Sequence, residues 1–163
     1  MENVKKLKKQ ERYNLNRGYQ KLRVWQDAIL LNTMILEEFK GSPFEFKKMA
    51  GQQIAAADSI HRNIAEGYCR RSIREYIQFL YVALASLGET VSGLVASKAA
   101  HLISEDQFET LDSLCYKLEN GLISLVRSLE KKRNAGDWVD YMVKEESFEY
   151  AGMEEWTEGV AEK

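Results

Sequence analysis

Seven apolar residues, Ile73, Ile77, Leu80, Leu84, Leu87, Val91 and Leu94, recur at steps of 4, 3, 4, 3, 4 and 3. A second series, Phe108, Leu111, Cys115, Leu118, Leu122, Leu125 and Leu129, follows at steps of 3, 4, 3, 4, 3 and 4. Three heptads of this kind form one apolar stripe along a helix, and such a stripe must be covered by another helix. A strand would need alternation with a period of 2, which neither stretch shows. One Pro and ten Gly in 163 residues are too few for a many-turned β architecture.

Two further helices read from the same logic. The first runs from about Leu22 to Phe39, with Leu22, Trp25, Ile29, Leu36 and Phe39 on one stripe and Asn32 interrupting it. Val24, Ala28, Leu31 and Ile35 form a second stripe beside it, so the apolar face is wide. Gly41 is placed as a left-handed C-cap. Ser42-Pro43-Phe44-Glu45 has the form of a capping box with Pro at the first helical position, and this helix continues through Ala50, Ile54, Ala57 and Ile64 to a stop at Gly67. Ser72-Ile73-Arg74-Glu75 and Ser104-Glu105-Asp106-Gln107 are the corresponding boxes for the heptad helices. Gly88 and Gly93 cost about 1 kcal/mol each relative to Ala inside a helix, and they survive more easily where helices come close. The last helix is expected to fray near Lys131-Lys132-Arg133, whose charge complements the helix dipole.

Short connections between long helices favour antiparallel neighbours. The expected fold is therefore all-α: a basic N-terminal arm over 1–21, an antiparallel up-down four-helix bundle over 22–133, and an acidic aromatic tail over 134–163. A chain of this size supports a single core. The wide face of the first helix has more apolar surface than one core needs, which points to self-association.

The formal charge of -2 hides an asymmetry. Residues 1–23 hold eight Lys or Arg against two Glu, whereas residues 134–163 hold two Lys against nine acids. Residues 24–133 are nearly balanced, with thirteen basic and fourteen acidic side chains. The balanced middle argues against a broad nucleic-acid-coating surface. The arm, with Lys5, Lys6, Lys8, Lys9 and Arg12, has the charge to meet phosphate, or to be merely solvated. The tail scatters Trp138, Tyr141, Phe148, Tyr150 and Trp156 among acids. It reads as a short helix near 138–148 followed by disorder, either a docking element for a protein partner or a loosely tethered end.

Neither cysteine lies in a metal-ligand pattern, and Asp58-Ser59-Ile60-His61 is a single imperfect copy of the Glu-x-x-His step that dinuclear bundle sites need twice. Cys115 falls on a core position. Cys69 lies beside Arg70 and Arg71, which would lower its pKa. No catalytic residue, metal or cofactor is expected. No secretory signal follows the N-terminal lysines and no long apolar run is expected to span a bilayer, so the expected location is cytoplasmic.

Asn63-Ile64-Ala65-Glu66-Gly67, then Arg70, Ser72, Glu75, Phe79-Leu80, Ala83, Ser86 and Glu89, resembles the bacterial four-helix-bundle proteins encoded by intervening sequences within large-subunit ribosomal RNA genes. Leu22-Arg23-Val24-Trp25-Gln26-Asp27-Ala28 is similar to the first helix of that family, and the likeness covers roughly residues 22–132. It implies a four-helix protomer, a ring-shaped homo-oligomer that is a pentamer, and no enzymatic activity. A related branch, the accessory variability determinants of diversity-generating retroelements, implies rings that assist a reverse transcriptase and its RNA. Two departures stand out: Ala55 and Ala56 occupy the places of the family's Arg-Arg pair, and Cys69 replaces the glycine before Arg70.

Losing that pair leaves Arg62, Arg70, Arg71 and Arg74 as the basic cluster around the second turn. These residues either offer guanidinium groups to RNA phosphate or brace the turn through Glu66 and Glu75. Asn63, Glu66, Gly67, Ser72, Glu75 and Glu89 are expected as structural struts. The functional expectation is a homo-oligomeric scaffold that binds RNA or an RNA–protein complex, and the alternative is a protein–protein adaptor acting through its tail.

Overall fold

The computed structural model of the chain describes residues 15–70 and 72–137. Lys5, Lys6, Lys8, Lys9, Arg12, Arg71 and the tail beyond Asp137 lie outside the described residues. Among the described residues the elements are all helical, and four long helices form the body. They are α1 (Arg23–Phe39), α2 (Lys47–Cys69), α3 (Ile73–Ala99) and α4 (Glu105–Ala135). Short 3-10 turns, Leu15–Lys21 and Phe44–Phe46, precede α1 and α2.

The helices form a square. Each packs against its neighbours in sequence, and α1 closes the ring against α4, while the diagonal pairs, α1 with α3 and α2 with α4, keep their backbones further apart. Pairs of side chains fix the antiparallel register. Gln53 and Ser59 of α2 meet Thr90 and Ser86 of α3 in reverse order. Asp27 and Glu38 of α1 likewise meet Lys117 and Gln107 of α4. This is the up-down bundle that the spacing predicts.

The core lies between the four rods. Leu31, Ile35, Ile60, Ile64, Leu80, Leu94, Leu118 and Leu122 are fully buried, and each contributes roughly 1.5–3 kcal/mol of transfer free energy. On α1 the stripe of Ala28, Leu31 and Ile35 faces the core, joined by Phe39, while Leu36 of the other stripe is exposed. The α4 stripe drifts by one position near its end. Val126 is buried there and Leu125 only partly, because a straight helix slips behind a strict heptad.

The α3 face toward α2 is small and polar. Ser86, Thr90 and Ser97 are buried on it, and their hydroxyls donate to the carbonyls of Val82, Ser86 and Gly93 one turn back. Satisfied in this way, the hydroxyls can be buried without the cost of an orphaned donor. Gln53 of α2 donates to the Thr90 carbonyl at 2.9 Å, and its side-chain oxygen fills the space where a Cβ on Gly93 would stand.

Several terminal signals resolve differently from the sequence expectation. Gly41 is not left-handed; α1 ends through Lys40 N–H to Leu36 O, and Ser42 gives both its N–H and its hydroxyl to Phe39 O. Ser42 therefore serves the orphan acceptors of α1 and caps nothing ahead of it. Phe46 is the cap residue of α2, without a side-chain bond. Gly67 does not stop α2, which continues to Cys69. It is buried because a Cβ there would stand 2.7 Å from Phe79 Cβ and 3.2 Å from the Tyr76 carbonyl oxygen. Ser72 accepts from Arg74 N–H rather than from Glu75 N–H, so it caps α3 without forming the reciprocal box. The Ser104–Gln107 box is complete.

Two left-handed residues close the later helices. His101 takes φ 56° after α3, with Leu102 N–H donating to Ser97 O at 2.9 Å. Gly136 takes φ 71° after α4, with Asp137 N–H donating to Lys132 O at 3.1 Å. Both are six-to-one closures of the Schellman type.

α3 departs from the expectation that no helix could cross a bilayer. Its 27 residues reach a mean hydropathy of 1.6 over the most apolar stretch, long and apolar enough by length and composition. The reason is two apolar faces on one rod. Leu80, Leu87 and Leu94 enter the core, while Tyr81, Val82 and Val95 remain exposed.

Candidate nucleic-acid interface

An even number of antiparallel helices brings the start of α1, the α2–α3 turn and the end of α4 to one pole. Tyr81 OH reaches Glu130 at 3.2 Å, which sets the start of α3 beside the end of α4. The 3-10 turn before α1 folds onto the end of α2, where Tyr19 lies 6.2 Å from Tyr68 and 5.3 Å from Trp25. Tyr68 in turn meets Tyr76 of α3 edge-on at 6.0 Å. Burial beneath these rings, with Tyr68 beside it, pushes the Tyr76 phenol well above its ordinary pKa.

Basic charge collects around this aromatic knot. Residues 15–23, 62–70, 72–76 and 126–137 hold ten Lys or Arg against four acids, a balance of +6. The opposite pole, residues 37–48 and 98–109, holds four against six, a balance of -2. The middle of the chain is balanced along the sequence but divided in space. That division gives one pole a field attractive to polyanions.

The α2–α3 turn is braced. Arg70 takes an extended backbone after α2 and donates its N–H to Gly67 O at 3.1 Å. Its guanidinium donates to Glu66, lies 3.9 Å from Glu75, and stacks 4.7 Å from the Phe79 ring centroid. Arg62 lies further back on α2, with its Nε 2.5 Å from Asp58 Oδ2. Arg74, in the first turn of α3, is exposed. Arg70 and Arg74 thus flank one turn, and Arg62 stands about 12 Å behind Arg70 at 1.5 Å per residue.

The struts fall in three places. Asn63 donates to Ser59 O and Ser59 Oγ at 2.8 and 2.9 Å, and the Ser59 hydroxyl in turn donates to Ser86 Oγ at 3.0 Å, which ties α2 to α3. Glu66 and Glu75 hold Arg70. Glu89 lines a shallow groove of about 290 Å³ between α2 and α3, together with Met49, Gln52, Ala56, Ser92 and Ala96. Sequence reasoning missed Arg17, Lys21, Arg23, Arg127, Lys131, Lys132 and Arg133 as members of the basic pole. Helix parity alone would have placed them there.

Catalytic alternatives find little material. His61 Nε2 lies 3.1 Å from Asp58 Oδ1 and meets the Trp25 ring edge-on at 6.4 Å, so it packs between α1 and α2. No cluster of three metal-ligating side chains occurs among the described residues. Burial, with Asp112 and Glu119 nearby, pushes the Cys115 thiol up to about 12. Partial burial also raises the Cys69 pKa, contrary to the lowering expected from its arginine neighbours. Burial is the cause, while the Arg70 guanidinium is turned to Glu66 and Glu75.

Comparison with known proteins supplies the family. The family model described as 23S rRNA-intervening sequence protein matches residues 20–124, from the 3-10 turn to the middle of α4. The chain belongs to this family. The crystal structure of a protein of unknown function from the S23 ribosomal protein family of Bacteroides thetaiotaomicron is similar to this intervening sequence protein at 24% identity, with a TM-score of 0.60. The match covers 64% of this chain and 95% of that one, and it supports the bundle fold alone. No curated protein matches this intervening sequence protein. The basic pole straddles the limits of the matched region. The end of α4, with Arg127 and Lys131 to Arg133, lies beyond it.

Proposed function

We propose that this intervening sequence protein is a non-enzymatic homo-oligomeric scaffold, a ring of five copies, whose basic poles together meet RNA or an RNA–protein complex. The observation that carries the oligomer is the outer face of α3. Tyr81, Gly88 and Val95 stand one heptad apart on it. Tyr81 and Val95 are 47% and 51% exposed, and a Cβ on Gly88 would meet nothing within 4 Å. This is a helix-packing seam that none of the described helices covers, with Tyr81 at its edge reaching Glu130 of α4. Leu30 and Leu36, on the diagonally opposite rod α1, are exposed as well. The family resemblance supplies the ring and the number five.

The RNA reading is supported by the +6 balance of the pole. Arrayed in a ring, several such poles would neutralise many phosphates at once, so affinity should fall steeply with salt. Light scattering on the purified full chain tests the assembly, and a lone monomer at micromolar concentration would sink it. RNA binding should weaken on removing residues 5–17 or on Arg70→Glu with Arg71→Glu. Affinity no better than that of a neutral control protein would end the RNA reading.

A further inference from the structure

The basic pole is also the place from which residues 138–163 depart, since α4 ends there at Ala135. Those 26 residues hold eight acids against two Lys, a balance of -6, with Trp138, Tyr141, Phe148, Tyr150 and Trp156 among them. We infer that this segment docks on the basic pole of its own chain and competes there with RNA phosphate, which makes the tail a built-in regulator of the scaffold. The inference rests on the phosphate-binding pole proposed above.

Three features select this occupant and this seat. Charge comes first: -6 on the segment faces +6 on the pole, whereas the far pole at -2 would repel it. Reach does not discriminate, because 26 residues span on the order of 85 Å when extended, and α4 is only about 46 Å long at its 31 residues. Tethering does. A segment rooted at Asp137 is held near the pole at an effective concentration of about millimolar, which a free acidic peptide in solution would rarely match. Finally, the aromatic side chains have cationic partners to lie against. Arg70 already stacks on Phe79 at this pole, and Lys131, Lys132 and Arg133 crown α4.

Docking would also explain a mismatch of design. A protein that met RNA through an unopposed cationic pole would bind any RNA, since such contacts carry no sequence information. A tethered polyanion raises the threshold. Only an RNA that offers several phosphates together, or further contacts, displaces it.

The test uses the full chain and a fluorescently labelled single-stranded RNA. Wild type is compared with a variant whose eight tail acids, Asp140, Glu145, Glu146, Glu149, Glu154, Glu155, Glu158 and Glu162, are changed to Asn or Gln. At low salt the variant should bind about tenfold more tightly and lose affinity more steeply as salt rises. Equal affinity of the two proteins overturns the inference. A second readout needs no RNA: carbodiimide coupling of tail carboxylates to lysines, mapped by mass spectrometry. Lys21 at the basic pole should couple at about 50 mM salt and cease to couple at about 0.5 M. Coupling to Lys40, Lys47 and Lys48 of the far pole to the same extent overturns the docking. Should neither protein bind RNA, the proposed function fails, and the coupling pattern alone then decides whether the tail docks.

Discussion

Gln53 on α2 donates its side-chain amide to the main-chain carbonyl of Thr90 on α3, 2.9 Å away inside the bundle. The bond exists because Gly93, three residues on, has no Cβ to occupy the space of the Gln53 side-chain oxygen. Gly93→Ala should therefore destabilise the fold by about 1–3 kcal/mol through overpacking against a buried amide. Gly88→Ala is the control. It sits in the same helix with open space around it, and the better helix former should raise the stability of the isolated subunit by up to about 1 kcal/mol. Urea unfolding of both variants reads the difference, and equal shifts would mean that Gln53 does not hold its place.

Gly67 makes the opposite use of the same freedom. A methyl group there would press on Phe79 Cβ and on the Tyr76 carbonyl, neither of which can swing aside. Gly67→Ala should cost about 1–3 kcal/mol, although Ala is the better helix former. A variant as stable as wild type would show that α2 and α3 can separate slightly at the turn.

These two glycines show where the sequence was legible and where it was not. The heptads of α3 and α4 announced the bundle, since a 4-3 spacing has only one economical use. Glycine and serine are ambiguous because one atom serves two purposes. Gly67 can end a helix or admit a neighbour, and only the position of Phe79 decides. Ser42 can cap the helix ahead or satisfy the helix behind, and Phe39 O claimed it. Ser86, Thr90 and Ser97 interrupt an apolar pattern on paper, yet they are buried because each donates one turn back. Within the candidate site, Arg62, Arg70 and Arg74 stood out as neighbours in sequence. Arg17 and Lys132 belong with them only after the chain has run up and down twice.

Two of the serines expected to open helices, Ser104 and Ser42, give a ranked prediction. Ser104 closes a complete box with Gln107, so Ser104→Ala should cost about 1 kcal/mol. Ser42→Ala removes a hydroxyl from an already bonded carbonyl, and it should stay within about 0.5 kcal/mol. Thermal or urea unfolding of the pair tests the ranking, and a larger loss at Ser42 would reverse the assignment.

Stability should also fall in alkali through Cys115. The fold keeps this thiol protonated by raising its pKa from an ordinary 9.0 to about 12. The unfolded chain releases the proton first. The contribution is therefore whole below pH 9.0, and it drains as pH climbs towards about 12. Cys115→Ala should lower stability at neutral pH, through the lost side-chain volume, but should show a shallower decline above pH 9. Identical slopes for wild type and variant would mean that the buried thiol is ionised as easily as a free one. A disulfide reagent at neutral pH should modify the exposed Cys69 well before the buried Cys115.

Because the rods number four, the two strands of chain that enter and leave the bundle at residues 15 and 137 share a pole. A fluorescent protein or affinity handle joined directly at residue 15 or 137 would sit as a hood over the cationic surface. Fusion proteins could thus look inert toward RNA for reasons of crowding alone. A reporter inserted at the Gly41–Pro43 bend would hang from the opposite side and leave that surface open to the solvent.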